Sequence, residues 1–151
     1  MRRLAILALC FPWLGVACSC VELQQSQARS AAYVVFDGVV TDIHYFETEE
    51  QQRTSSRVLV TFAVSQSWKG PVGLEMRIHA WERALMCDSY TFEIGHRYLV
   101  YAIRQDKEGG WADQYPTGTK ILSVGSCVLR IREDIEDEVK RLGKSRKPIS
   151  N

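Results

Sequence analysis

The fold is decided by residues 33–40, Tyr33-Val34-Val35-Phe36-Asp37-Gly38-Val39-Val40. The β-branched and aromatic residues of this stretch predict a strand, which Asp37-Gly38 interrupts. A glycine inside such a run predicts a bulge or a sharp bend, the device that small barrels use to coil a strand. The stretch therefore indicates the bent first strand of a small β barrel.

Further strands are predicted downstream of this stretch. Residues 57–64 alternate between apolar and mixed positions, which predicts a strand with one buried face. Residues 76–80 alternate in the same way, residues 98–103 form a strongly apolar run, and residues 121–128 are strand-like or irregular. The buried face of the first of these strands would consist of Val58, Val60, Phe62 and Val64.

A short helix is predicted on each side of the strands. Residues 22–32 are polar and free of Gly and Pro, which indicates a short surface helix or turn. Near the C-terminus, apolar residues recur at helical spacing and form one stripe, which consists of Ile131, Ile135, Val139 and Leu142. The predicted fold class is therefore mainly β, a small closed OB-type barrel of five to six strands with two flanking helices. Strand pattern alone does not separate this barrel from a small sandwich.

The first 17 residues have the three parts of a secretory signal peptide. Arg2 and Arg3 give a positive start, an apolar stretch follows, and the small residues Gly15 and Ala17 precede Cys18. We expect cleavage after Ala17 and hence a secreted or periplasmic protein. The expected organisation is a signal peptide over 1–17, one domain over 18–143, and a mobile polar tail over 144–151.

Bulk composition sets limits on size and partners. The apolar stretch of the signal is shorter than the roughly 20 residues that cross a bilayer. Of the 151 residues, removal of 17 leaves 134, enough for one domain with a core. The formal net charge is +1 and becomes −1 when the two signal arginines leave, so charge gives no case for a nucleic-acid partner.

The mature chain keeps four cysteines, which suggests two disulfides in an exported protein. They are Cys18, Cys20, Cys87 and Cys127. Four cysteines allow three pairings, of which Cys18 with Cys20 is the least favoured because its ring would be very small and strained. Each of the other two pairings would tie the N-terminal segment to two distant parts of the chain.

An alternative for the N-terminus is a bacterial lipoprotein. Leu14-Gly15-Val16-Ala17-Cys18 is a tolerable lipobox, although Gly15 stands where Leu is usual. Lipidation would consume the Cys18 thiol and acylate its amine, and it would leave an odd number of cysteines. The even count therefore favours simple secretion, with membrane attachment only if Cys18 is lipidated.

A series of short segments runs in order over almost the whole mature chain, beginning with a Cys-X-Cys-Val start. The segments are Cys18-Ser19-Cys20-Val21, Val35-Phe36-Asp37-Gly38, Phe62-Ala63-Val64, Ser67-Trp68-Lys69-Gly70, Met86-Cys87, residues 92–100 and Ser126-Cys127. In this series the sequence resembles the tissue inhibitors of metalloproteinases, whose N-terminal domain is a netrin-like OB barrel. It is also similar to the small bacterial relatives of that family, which have the barrel alone.

The resemblance implies the disulfides Cys18–Cys87 and Cys20–Cys127. It also implies an inhibitory ridge, here Cys18, Ser19, Cys20, Val21, Met86 and Cys87. In the family, the α-amine and carbonyl of the first Cys chelate the zinc of a metalloproteinase, and the second residue, here Ser19, enters the primary specificity pocket. The expected partner is therefore a zinc metalloproteinase, and the protein needs no cofactor or metal of its own. The alternative is a non-inhibitory extracellular or periplasmic interaction module, which would bind partners through loops such as residues 47–56.

No residue pattern in the sequence points to catalysis. No Ser/His/Asp or paired-carboxylate signature stands out, so we expect no enzyme activity. His44, His79 and His96 are far apart and lack metal-ligand spacing, so we expect them on the surface or at strand edges. A zinc site of Cys18, Cys20 and Cys87 is a minor alternative, because export favours disulfides. The tryptophans, including Trp68, are expected in core or rim packing.

Overall fold

A computed structural model describes residues 23–47, 56–82, 91–106, 115, 119–124, 131–132 and 135–150. Within these residues the protein is mainly β, with six strands and two short helices. The fold class predicted from the sequence is confirmed at this level. The elements in chain order are α1 Gln25–Ala31, β1 Val34–Tyr45, β2 Ser56–Lys69, β3 Glu75–Glu82, β4 Arg97–Asp106, β5 Lys120–Ser123, β6 Ile131–Arg132 and α2 Glu136–Leu142.

Five of the strands are hydrogen-bonded in a closed ring. β1 pairs with β2, and β2 with β3, both antiparallel. β3 runs parallel to β5, β5 runs antiparallel to β4, and β4 returns antiparallel to β1. β6 pairs antiparallel with β4 at Leu99 and Val100, on the edge away from β1 that β5 occupies farther along β4. Each of the five strands therefore has a paired neighbour on both sides, and the contact of β3 with β5 consists of the single pair His79 and Ser123.

The first strand is bent where the sequence predicts it. The register of β1 against β2 shifts between Asp37 and Gly38, and again on either side of this pair. A Cβ atom on Gly38 would lie 2.9 Å from the carbonyl oxygen of Ala63, so only glycine lets the two backbones approach this closely. The bulged strand can therefore pair with β2 on one side and with β4 on the other.

The main hydrophobic core lies inside the ring. The predicted alternation of β2 is confirmed, because its four predicted inward residues are all buried. Phe62 packs edge-to-face against Phe36, Phe92 and Tyr98, with ring centroids 5.5 to 6.3 Å apart. Apolar side chains from β3 complete this core: Met76, Ile78 and Ala80.

A second, smaller cluster lies between the ring and the two helices. α1 contributes Ala28 and α2 contributes Leu142, and both pack with Trp68 of β2. The Trp68 indole N–H donates to the carbonyl oxygen of Gly143 at 2.9 Å, so the buried ring has its polar atom satisfied. The expected core packing of Trp68 is confirmed, and the helices are held against the outside of β1, β2 and β4.

The C-terminal helix is shorter than the apolar stripe predicts. Ile131 belongs to β6 and pairs with Val100, so including Ile131 in the helix was wrong. Its backbone is satisfied by the edge of β4 instead of by a helical turn. The helix ends at Gly143, whose φ of 74° lies in the left-handed region that favours glycine. Within α2, buried Glu138 accepts a hydrogen bond of 2.9 Å from the hydroxyl of buried Tyr101.

The polar tail is attached to the sheet, whereas the sequence predicts a mobile segment. The backbones of Arg146 and Ser67 exchange two hydrogen bonds, of 2.7 and 3.0 Å. The N–H of Ile149 donates to the carbonyl oxygen of Val72 at 2.8 Å. Composition alone predicts a mobile segment, whereas these backbone bonds hold residues 144–150 along β2 and the turn that follows it.

Candidate functional site

All residues of the predicted inhibitory ridge lie outside the described part of the chain. This applies equally to Cys127, so both disulfides stay predictions. The ends of the described strands nevertheless give the points from which the chain continues toward these residues. The residues concerned are Cys18, Ser19, Cys20, Val21, Met86 and Cys87.

Two strands that lead to cysteines leave the sheet at the same edge. β3 ends at Glu82, five residues before Cys87, and β5 ends at Ser123, four residues before Cys127. The two strands are parallel neighbours, with His79 opposite Ser123. Because parallel strands have their carboxyl ends at one edge, both cysteine segments begin there. Five extended residues reach at most about 17 Å, which limits how far each segment can travel.

On the N-terminal side, the described chain starts at the second cluster. Leu23, three residues after Cys20, packs against the second cluster, and Ile103 of β4 packs against that cluster too. Ile103 pairs directly with Ser123, the last residue of β5. The described chain on the N-terminal side therefore shares its packing cluster with the strand partner of β5.

A buried histidine lies close to this edge. The Nδ1 atom of His79 is 3.0 Å from the carbonyl oxygen of Leu122, and its Nε2 atom is 2.6 Å from the hydroxyl of Tyr115. A carbonyl can only accept, so Nδ1 carries the proton and Nε2 accepts from Tyr115. Burial lowers the pKa of His79, and the hydrogen bond from its ring to Leu122 partly opposes this. Burial likewise raises the pKa of Tyr115, and the charge of Arg77 partly opposes that shift.

This burial corrects one expectation for the histidines. His79 is only 6% exposed and lies in β3, so placing it on the surface or at a strand edge was wrong. Its neighbours on β5 and the Tyr115 ring cover it, a tertiary contact that sequence spacing does not reveal. His44 and His96 are exposed, as expected.

A buried carboxylate ends β3. Glu82 is 1% exposed, and it lies opposite buried Ser56 in the β2–β3 register. Within the described residues, Oε2 of Glu82 has no hydrogen-bond partner. A buried acceptor without a donor costs free energy, so the local structure is stabilised by any donor that reaches it. The burial of Glu82 is not predictable from the sequence, because a charged residue at a strand end usually faces water.

A second buried carboxylate lies at the bulge of β1. Asp37 accepts hydrogen bonds from Arg97 at both carboxylate oxygens, and from Gln66 at 3.1 Å. The bond from Nε of Arg97 measures 2.8 Å, and the Nη2 bond completes a bidentate pair. This pair ties β1, β2 and β4 together where β1 bends. Its role is structural, because both carboxylate oxygens of Asp37 are engaged by Arg97 and Gln66.

The described residues include no side-chain cluster suited to a metal ion and no helix that could span a bilayer. None of their His, Asp and Glu side chains gather in a group of three that could hold a metal ion. Over the same residues, neither helix has the length and apolarity needed to span a bilayer.

Comparison with known proteins does not assign the chain to a family. No family model matches it, and no curated protein matches it either.

Proposed function

We propose that the mature protein is a secreted metalloproteinase-inhibitor-like protein built on a netrin-like OB barrel. The observation that carries the proposal is the parallel pairing of β3 with β5. This pairing sends the chain toward Cys87 and toward Cys127 from one edge of the sheet. Both cysteines can then reach one short N-terminal segment, as two disulfides to Cys18 and Cys20 require.

The strand order supports the OB-type barrel within this proposal. The ring runs β1-β2-β3-β5-β4 and back to β1, with a bulged first strand paired on both sides. A five-stranded closed sheet with one parallel contact is the arrangement expected of that barrel. The short helix before β1 and the helix after β6 fit the domain that the sequence resemblance implies.

Inhibition would operate through the new N-terminus. An uncharged α-amine and a carbonyl oxygen of Cys18 are competent ligands for the open position of a catalytic zinc ion. An α-amine has a reference pKa of about 7.7 to 8.0, so a useful fraction is uncharged near neutral pH. Disulfides from Cys18 and Cys20 would hold these atoms rigid and reduce the entropy lost on binding. Ser19 would enter the specificity pocket of the protease, flanked by Val21 and Met86.

The test compares two N-termini of one protein. Mature protein from an oxidising host is prepared with Cys18 first, or with one Ala added before Cys18, and is assayed on a panel of zinc endopeptidases. We expect the authentic form to inhibit at least one enzyme and the extended form to be on the order of a hundredfold weaker, a change of about 2.7 kcal/mol. A matched control adds the same Ala after Asn151 and retains inhibition.

Two results would contradict the proposal. One is a panel in which no enzyme is inhibited, and the other is equal inhibition by the authentic and the extended form. Equal thermal stability of the three forms must be verified, so that a loss of inhibition reports the terminus and not the fold. Either contradicting result favours the alternative, a non-inhibitory extracellular interaction module or, if Cys18 carries a lipid, a lipoprotein.

A further inference from the structure

Two adjoining hollows lie on the outside of the ring, between α1, the end of α2 and the attached tail. They hold about 240 and 390 Å³ and share Ser26 and Arg29 as lining residues. We call this surface the basic cleft, and define it by Ser26, Arg29, Ser30, Lys69, Arg141 and Arg146.

The basic cleft collects four positive charges and no negative one. Its cations come from α1, from β2 and from the C-terminal stretch of α2 and the tail. Of the described residues, no Asp or Glu lines either hollow. The mature chain has a formal charge close to zero, so this concentration is local and does not reflect a generally basic protein.

These cations differ from three other arginines of the described chain. Arg57 pairs with Glu47, Arg77 with Glu75 and Arg97 with Asp37. In the part of the chain that the structure describes, none of the four cleft cations has a carboxylate within 4.0 Å. The larger hollow is lined by Arg29, Lys69 and Arg146, and the smaller one by Arg29 and Arg141. Neighbouring like charges repel one another, so a bound anion would be stabilised by the cations that line its hollow.

Two of the cations are fixed in place by the ends of the helices. The Lys69 ammonium donates to the carbonyl oxygens of Arg29 and Ser30, both at 2.8 Å. The Arg29 guanidinium donates to the carbonyl oxygen of Leu142 at 3.4 Å. Capping of helix C-termini explains these bonds, yet it uses only two of the three ammonium protons and one of the five guanidinium N–H groups.

Helix capping does not account for the other two cations. The side chains of Arg141 and Arg146 are exposed, and they make no hydrogen bond or ion pair to any described residue. The tail brings Arg146 to the cleft because its backbone pairs with Ser67. A segment of such polar composition would otherwise be free, so its attachment holds a cation beside α1.

We propose that the basic cleft binds the phosphate group of an organic phosphate. Guanidinium groups match phosphate oxygens with two parallel hydrogen bonds, Lys69 adds a point charge, and Ser26 and Ser30 offer neutral donors. A hollow of about 390 Å³ suits a phosphate with an attached sugar or glycerol group. The ligand is either a free phosphorylated metabolite or the headgroup of an anionic phospholipid, which share this chemistry. None of the residues that define the basic cleft belongs to the proposed inhibitory ridge.

The experiment uses the full mature, disulfide-intact protein and three probes. Glucose 6-phosphate and glycerol 3-phosphate represent free ligands, and vesicles of phosphatidylglycerol in phosphatidylcholine represent a membrane surface. Calorimetry and vesicle sedimentation measure binding. We expect one-site binding that weakens as salt is raised. Binding of the small probes identifies a free ligand, and binding of vesicles alone identifies a headgroup.

A matched pair of double variants separates the cleft from net charge. Arg141→Gln with Arg146→Gln removes two lining cations whose side chains make no hydrogen bond or ion pair to a described residue, so the fold should be retained. Lys144→Gln with Lys147→Gln removes the same charge from neighbouring positions that line neither hollow. We expect at least a tenfold loss of affinity in the first variant and less than a threefold loss in the second.

Three results would overturn the proposal. They are no saturable binding of any probe with a Kd below about 1 mM, equal losses in the two double variants, and unchanged binding by the cleft variant. Protease inhibition by the cleft variant should equal that of the parent protein. A result that refutes phosphate binding by the basic cleft is therefore distinguishable from one that refutes inhibition through the N-terminus.

Discussion

Removal of Arg97 should destabilise the protein more than neutralisation of its partner Asp37. The Asp37 side chain is fully buried, whereas the Arg97 side chain is 46% exposed. Arg97→Met strands a buried carboxylate that retains only the bond from Gln66. Asp37→Asn instead leaves an amide that can still accept from Gln66, while the freed guanidinium turns to water. The two substitutions break the same pair with unequal consequences.

The magnitudes follow from this difference in burial. Breaking a buried pair by removing one partner costs about 3 to 5 kcal/mol. Partial exposure of Arg97 lets water reach the carboxylate, so we expect about 2 to 3 kcal/mol for Arg97→Met. Asp37→Asn loses charge-assisted bonds without stranding a charge and should cost about 1 kcal/mol. For a chain of this size, the losses correspond to decreases in Tm of about 8 °C and about 3 °C.

Urea unfolding followed by circular dichroism measures both losses in free energy. The double variant Arg97→Met with Asp37→Asn is the control, because it removes the stranded charge. It should be more stable than Arg97→Met alone, although it carries one more substitution. The reasoning is refuted if Arg97→Met costs no more than Asp37→Asn, or if the double variant is the least stable of the three.

Two further predictions concern His79 and Gly70. The pKa of His79 is lower in the folded protein than in the unfolded chain, so the unfolded chain binds a proton at a higher pH. Protonation therefore favours unfolding: stability should be complete above about pH 6.5 and fall as the pH drops below this value. His79→Gln should flatten this decrease in Tm, whereas His96→Gln at an exposed position should not, and equal profiles would contradict the assignment. Gly70 has a φ of 77°, and a Cβ there would lie 2.4 Å from the carbonyl oxygen of Tyr33. A Cβ on Gly95 would meet nothing within 4 Å, so Gly95→Ala should lower the free energy of unfolding only by the roughly 1 to 2 kcal/mol of left-handed strain. Gly70→Ala should lower it by more, and thermal unfolding measures both variants. Equal losses would contradict this prediction.

Much of the fold was predictable because local patterns determined it. The alternation around Phe62 identified the inner face of β2, and Asp37-Gly38 identified the bulge of β1. Both signals depend on residues adjacent in sequence. The apolar stripe gave α2 correctly from Glu136 onward but not at Ile131, where a sheet edge competes for the backbone.

The features that the sequence did not predict depend on contacts between distant residues. Burial of His79 requires Leu122 and Tyr115, and burial of Glu138 requires Tyr101. His79 and Glu138 are residue types that usually lie on the surface. The basic cleft escapes sequence analysis for the same reason, because Arg29 and Lys69 are distant in sequence from each other and from the two C-terminal cations. The cysteine pattern, in contrast, is visible only in the sequence, since the described residues include none of the cysteines.

Peptide mapping of the mature protein under non-reducing conditions, combined with its intact mass, tests the central claim most directly. The proposed zinc-binding terminus requires one N-terminal segment bonded to the two segments that follow β3 and β5. The account predicts a chain that begins at Cys18 with an unmodified amine and carries the disulfides Cys18–Cys87 and Cys20–Cys127. A diacylglycerol adduct on Cys18, or a free thiol at Cys87, would contradict it.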